Sequence, residues 1–188
     1  EVLVEEVLTY IRPGMHVLDM CTGSGCILLS TLKLAAELKG FRDLQGTGAD
    51  LSEKALRIAE QNRKQLGLIG NVTLIQSNLF EHISGTYEII VSNPPYIASE
   101  VITTLSEEVK DHEPMMALDG GTDGLDFYRI IIEKSPSYLT PGGMLFFEIG
   151  YDQGDSVSQL MEKDFENIHV IQDLAGLDRV VYGTCKAQ

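Results

Sequence analysis

The 188-residue sequence has no tryptophan, only three cysteines and four histidines, and 14 basic residues against 28 acidic ones. Each shortage excludes something. A formal net charge of −14 works against a broad polyanion-binding surface, because binding free DNA or RNA draws most of its affinity from Lys and Arg on phosphates. No apolar run reaches the ~18 residues of a membrane span and no signal-peptide pattern opens the chain, so no membrane association is expected. Cys21, Cys26 and Cys185 are odd in number and lie in or beside apolar segments, which points to reduced thiols and a cytoplasmic setting. Cys21 and Cys26 have no second pair downstream, and His16, His82, His112 and His169 show no ligand spacing, so no metal site is expected. Internal repeats and low-complexity segments are also missing.

What is present is a normal globular composition, 44% hydrophobic with 7% aromatic residues, enough for one domain with a sizeable core. The opening "EVLVEEVLTYI" carries Val4, Val7, Leu8 and Ile11 at helical spacing, already running at Glu1 with no capping residue before it. The expectation is a single domain over 1–188 cut out of something longer. Strands and helices then alternate. Strands are predicted at 15–20, 46–50, 71–76, 87–91, 143–150, 167–172 and 179–185, with helices at 26–39, 52–67, near 122–137 and near 152–163. Such alternation implies an α/β fold, a doubly wound and mainly parallel sheet with helices on both faces. Ligands of that architecture bind at the carboxyl ends of the strands. The irregular stretch 97–121 is long enough to read as a substrate lid.

Four motifs fall at successive strand ends. In "LDMCTGSGC", Gly23 and Gly25 permit a sharp turn and let a ligand touch backbone, and the helix that follows offers free N–H groups. Asp50 closes the second strand, where a carboxylate can accept both ribose hydroxyls of a nucleoside. It could instead cap the next helix, but Ser52 is better placed for that task. In "IQSNLF", Asn78 can hydrogen-bond an adenine edge while Leu79 and Phe80 pack on its face. "VSNPPY" ends the fourth strand with two imino acids that lack ladder N–H groups and hold the chain extended. A glycine turn, a ribose acid, an adenine pocket and Asn-Pro-Pro-Tyr would together line one cleft.

These strings, with "HEPMMALDGGTDGLDFYR", "FFEIGYDQG" and "LDRVVYG", resemble the class I S-adenosylmethionine-dependent methyltransferases. The resemblance is to the PrmC/HemK family in particular, which methylates the side-chain nitrogen of a glutamine in peptide chain release factors. It covers essentially the whole chain, and the strings after Tyr96 separate this family from other Asn-Pro-Pro-Tyr enzymes. It implies a seven-stranded, Rossmann-like sheet with an antiparallel last strand and S-adenosyl-L-methionine as cofactor. It places Cys21, Thr22, Gly23, Ser24, Gly25, Asp50, Asn78, Leu79 and Asn93 around that cofactor, and Asn93, Pro94, Pro95 and Tyr96 around the glutamine. Asn93, Pro94 and Tyr96 carry the catalysis. It also implies a release factor as protein partner, a monomer, and a separate helical domain ahead of the catalytic one. Two departures stand out. The family usually has Gly where this chain has Cys21, which restricts the turn if its angles are left-handed. The usual third-strand acid is Asn78 here, which can still accept from an adenine amino group.

The chemistry explains the Asn-Pro-Pro-Tyr. An amide nitrogen is a poor nucleophile because its lone pair is delocalised into the carbonyl. Acceptors at the Asn93 side-chain oxygen and the Pro94 carbonyl can take its two hydrogens, orient the nitrogen and favour the positive charge it develops. Tyr96 can pack on the planar amide. For Glu113, Glu148 and Arg179 a structural ion-pair role competes with catalysis. Two other functions share parts of this pattern: a DNA or RNA adenine N6-methyltransferase, in which an exocyclic amine poses the same problem, and a non-catalytic cofactor-binding module. The acidic charge and the tail strings speak against the first, and the intact Asn93-to-Tyr96 run against the second.

Overall fold

A computed structural model of the chain describes residues 1–102 and 118–187. It contains one seven-stranded sheet in the order β3-β2-β1-β4-β5-β7-β6. The strands are β1 (His16–Met20), β2 (Gln45–Asp50), β3 (Val72–Gln76), β4 (Tyr87–Ser92), β5 (Leu139–Glu148), β6 (Phe165–Gln172) and β7 (Asp178–Cys185). All seven expected strands form, and β5 and β6 begin earlier than periodicity indicates. Pairings are parallel from β3 across to β5, and β7 lies antiparallel to both β5 and β6. The last strand is thus the antiparallel one.

Helices α1 (Val2–Tyr10) and α2 (Cys26–Lys39) lie toward one face, and α3 (Glu53–Gln65) packs beside α2. The short α4 (Ser99–Ile102) follows β4, and α5 (Asp126–Lys134), a 3-10 turn (Ser135–Ser137) and α6 (Gly154–Met161) are the remaining helices among the described residues. The β4 run Ile89-Ile90-Val91 shows how the core divides. Ile89 and Val91 join Leu28, Leu29 and Leu32 of α2 and Val7 of α1 in one buried cluster. Ile90 faces the other way, with Tyr128 and Ile131 of α5 and Val157 of α6. A strand buried on both faces has to be apolar throughout, which is why this segment reads as an unbroken hydrophobic run.

Ser52 caps α3, its hydroxyl accepting from the Ala55 N–H at 3.3 Å. That leaves Asp50 outside the helix, as the spacing suggested. Of the stretch 97–121, only the two ends are among the described residues. They close on each other: Ile97 donates to the Leu118 carbonyl at 3.0 Å, Gly120 donates to Ile97 at 2.9 Å, and Ser99 donates to Gly121 at 2.9 Å. His112, Glu113 and Pro114 lie outside the described residues.

Candidate active site

Register alone assembles the site. Met20 pairs with Ala49 on one side and with Ser92 on the other, and Ser92 pairs with Phe147. The next residue of each strand therefore forms a row along the carboxyl edge of the sheet: Asp50, Cys21, Asn93, Glu148. The Ser92 hydroxyl donates to the Met20 carbonyl at 2.7 Å and ties the two central strands together just below that row.

At one end of the row the glycine turn is joined to Asp50. The Gly23 N–H donates to Asp50 Oδ2 at 2.8 Å and the Ser52 N–H to Oδ1 at 2.8 Å. Each carboxylate oxygen keeps a second lone pair for a ligand. Gly23 sits at φ 57 with nothing within 4 Å of where a Cβ would stand, whereas at Gly25, at φ 78, a Cβ would meet Leu29 Cδ1 at 2.9 Å. The first glycine opens onto free space and the second closes the approach of α2. The Ser24, Cys26 and Ile27 amides have no acceptor among the described residues. An uncapped helix start of this kind suits a ligand carboxylate or hydroxyl.

Cys21 does adopt left-handed angles, with φ 62. A non-glycine residue there carries a conformational cost of ~1–2 kcal/mol. Burial, reinforced by Asp50 and Asp19, pushes the Cys21 thiol up to about 12, so it is no thiolate nucleophile. The Thr22 hydroxyl points inward and donates to Asp19 Oδ2 at 2.6 Å. Asp19, fully buried, also accepts the Leu28 N–H at 3.3 Å, and its Oδ1 has no partner. Desolvation pushes its carboxyl up to about 7, opposed by the bonds from Thr22 and Leu28 and reinforced by the nearby Asp50 charge. Sequence reading passed over Asp19, although a carboxylate inside the buried run "HVLDM" breaks the apolar pattern and could have been noticed.

Farther along the edge, Asn78 and Leu79 follow β3. Asn78 is exposed and donates to Glu81 Oε1 at 2.9 Å, leaving its own oxygen available. Leu79 is half-buried at φ 49. Phe80 departs from expectation: it turns into the core and stacks on Tyr138 at 4.6 Å, so it cannot face a ligand.

On the acceptor side, Asn93 and Tyr96 are half-buried and Pro94 and Pro95 buried. Asn93 Nδ2 donates to Glu148 Oε1 at 3.4 Å. Gln153, just before α6, donates to the Tyr96 carbonyl at 3.0 Å and accepts the Gly150 N–H at 3.0 Å. Nothing in the sequence marked Gln153. Arg179, by contrast, pairs with Asp173 at 3.0 Å, the structural ion-pair role already considered for it.

A seven-stranded sheet of this order, with a glycine turn after β1, an acid after β2 and Asn-Pro-Pro-Tyr after β4, is the framework of class I methyltransferases. Residues 11–183 match the family model described as a methyltransferase domain. The chain belongs to that family. The release factor glutamine methyltransferase of Clostridium acetobutylicum is 42% identical over 187 residues, covering 96% of this chain and 64% of the relative. That of Thermodesulfovibrio yellowstonii is 41% identical over 187 residues, again covering 96% and 64%. This chain thus spans a little under two thirds of the length of these relatives. The crystal structure of a methyltransferase from Pyrococcus furiosus superposes with a TM-score of 0.68 at 17% identity, covering 97% of this chain and 82% of that one, a likeness of fold.

Proposed function

We propose that this chain transfers a methyl group from S-adenosyl-L-methionine to the side-chain amide nitrogen of a glutamine in a peptide chain release factor. The observation that carries the reading is the single row Asp50, Cys21, Asn93, Glu148, fixed by β-sheet register. It sets a nucleoside-type corner directly beside an amide acceptor. The similarity to release factor glutamine methyltransferases supplies the substrate class.

The residues present fit the cofactor. Open space above Gly23, unpartnered amides at the start of α2 and spare lone pairs on Asp50 form a cradle of mixed polarity. Asp50 would hold the ribose hydroxyls, Ser24 and the first α2 amides the amino-acid portion, and Asn78 with Leu79 the adenine. When bound, S-adenosylmethionine supplies an electrophilic methyl on a positively charged sulfur. Asn93 Oδ1 and the Pro94 carbonyl take the two N–H groups of the substrate amide. They aim its nitrogen and stabilise the positive charge that grows there as its lone pair leaves conjugation. Neither proline has an N–H to compete, and both are buried, so the segment holds its shape without reorganising during the reaction. No general base is required before transfer, because the proton can leave the methylated nitrogen afterwards.

The decisive assay offers labelled S-adenosylmethionine with a release factor, with adenine-containing DNA, or with neither. Label should enter the release factor, at glutamine. Labelled DNA would instead identify an adenine methylase, and no label in either would leave a binding module. Asn93→Ala should then lower turnover by ~3–4 kcal/mol, the usual cost of one positioned transition-state contact. Cofactor affinity should change far less, and a variant that turns over within a few-fold of the parent would refute the mechanism.

A further inference from the structure

The Asn93–Tyr96 segment cannot hold itself by a backbone ladder, since Pro94 and Pro95 carry no N–H. Contacts from the end of β5 and the loop after it hold it instead. At the far end Gln153 donates to the Tyr96 carbonyl at 3.0 Å and to the Gly124 carbonyl at 3.3 Å. The Gln153 oxygen in turn accepts from Gly150 at 3.0 Å and lies 3.4 Å from the Tyr128 hydroxyl. At the near end stands Glu148, whose Oε1 accepts from Asn93 Nδ2 at 3.4 Å. The backbone of Glu148 is itself pinned, because the Tyr128 hydroxyl donates to its carbonyl at 3.0 Å.

The near-end contact has a chemical consequence. An asparagine side chain offers an oxygen on one side and an NH2 on the other within nearly the same outline, and the two orientations differ only in what they bond. A carboxylate accepts and never donates, so it selects the orientation with NH2 toward itself. The Asn93 oxygen is thereby left for the acceptor. The opposite orientation would set NH2 against the NH2 of a substrate amide and offer no stabilisation of its developing charge.

We infer that Glu148 is a positioning residue that fixes the orientation of the Asn93 amide, and so determines that the site accepts an N–H donor at the position of the methyl acceptor. The inference rests on the reading that the acceptor is a primary amide. It adds a selectivity to that reading: a glutamate in place of the acceptor glutamine meets the Asn93 oxygen with like polarity and has no N–H to offer. The register supports the assignment independently of the side-chain contact, because Phe147 pairs with Ser92 and sets Glu148 alongside Asn93.

The test uses the purified protein, its release factor substrate and the variants Glu148→Ala, Glu148→Gln, Asn93→Ala and the Glu148→Ala/Asn93→Ala double. Glu148→Ala should lower kcat by about 10- to 100-fold, the range typical when an orienting partner is removed. KM for the release factor and affinity for S-adenosylhomocysteine should stay within about threefold of the parent, because Glu148 acts through Asn93 and not on either ligand. Glu148→Gln should fall between the parent and Glu148→Ala, because its amide can turn either its oxygen or its NH2 toward Asn93 and no longer selects one orientation. In the Asn93→Ala background Glu148→Ala should cost less than about threefold more, because the two act as one unit. A readout that needs no turnover is the Asn93 side-chain NH2 signal in 15N NMR, whose protection from exchange should fall in Glu148→Ala and take an intermediate value in Glu148→Gln. An unchanged signal in Glu148→Ala, an unchanged kcat, or a full additional loss in the Asn93→Ala background each overturns the inference. A parent that methylates no release factor refutes the functional reading instead, and the NMR comparison still decides the role of Glu148.

Discussion

The two glycines of the turn after β1 make opposite demands, and substituting each with alanine separates binding from stability. Both have positive φ, 57 at Gly23 and 78 at Gly25, so alanine at either site carries a strain of ~1–2 kcal/mol, offset by ~0.4–1 kcal/mol of lost freedom in the unfolded chain. At Gly23 that is the whole cost to the fold, because an added Cβ meets nothing within 4 Å. At Gly25 the methyl would meet Leu29 Cδ1 at 2.9 Å and the Ala59 Cβ at 3.4 Å, wedging α2 away from α3. Overpacking of that kind adds ~1–3 kcal/mol. Gly23→Ala should therefore lose about 1 kcal/mol and Gly25→Ala roughly 2–4 kcal/mol. For a chain of this size the corresponding falls in Tm are roughly 2–4 °C and 5–15 °C.

Binding should rank the other way relative to stability. The space above Gly23 is where a ligand would touch the backbone, so Gly23→Ala should weaken S-adenosylhomocysteine by about tenfold or more, which is about 1.4 kcal/mol. Thermal denaturation of both variants, with titration calorimetry at a temperature where both are folded, gives the two quantities separately. Parent-like affinity in Gly23→Ala would mean that the open space does not belong to the cofactor. A Gly23→Ala variant as unstable as Gly25→Ala would mean that the space is not open.

Asp50→Ala should weaken cofactor binding by ~1–3 kcal/mol, since it removes charge-assisted acceptors for ribose hydroxyls and also the brace on the Gly23 N–H; equal affinity in calorimetry would take Asp50 out of the site. Asp19 predicts a pH dependence. Its folded pKa, about 7, lies above its ordinary 3.8, so the folded state holds a proton that the unfolded chain has already released. Its contribution to stability is complete below the ordinary value and is lost as pH rises toward 7, at up to about 1.4 kcal/mol per pH unit. Denaturant melts from pH 4.5 to 7.5 should show the parent losing stability relative to Asp19→Asn as pH rises, and a constant difference would refute the shift.

Much of the fold was legible because the central strands are buried on both faces. "HVLDM", "YEIIV" and "MLFFE" are apolar runs bounded by glycine, proline or polar turns, and runs of that length separated by helical periods leave few arrangements for a parallel sheet. The misjudged boundaries have a common cause. β5 begins at Leu139, yet Pro141, Gly142 and Gly143 interrupt it, and the β4–β5 register shifts between Tyr87 and Ile89 to accommodate them. A proline and two glycines in succession look like the end of an element, and only pairing with a neighbouring strand shows otherwise. β6 begins at Phe165 although Asn167 has φ 50, an irregularity that hides the strand's first residues from any period-two count.

The site divides along the same line. Gly23, Gly25, Asp50 and Asn93 could be found because each is a polar or flexible residue at the end of a strand, and strand ends can be counted in sequence. Phe80 could not be placed, since a large apolar residue at a strand end suits a ligand or a core equally well; its stacking on Tyr138 depends on a residue 58 positions away by sequence number. Gln153 gives no sign of a site role in the sequence, and Glu148, weighed there only between an ion pair and catalysis, gives no sign of what it aims, for a further reason. Their roles lie in which groups they turn toward Tyr96 and Asn93, across strands whose adjacency is a property of the assembled sheet. Sequence motifs name the residues that touch a substrate more readily than the residues that aim them. An aiming residue needs only the right neighbour, and its own chemical type is under looser demand.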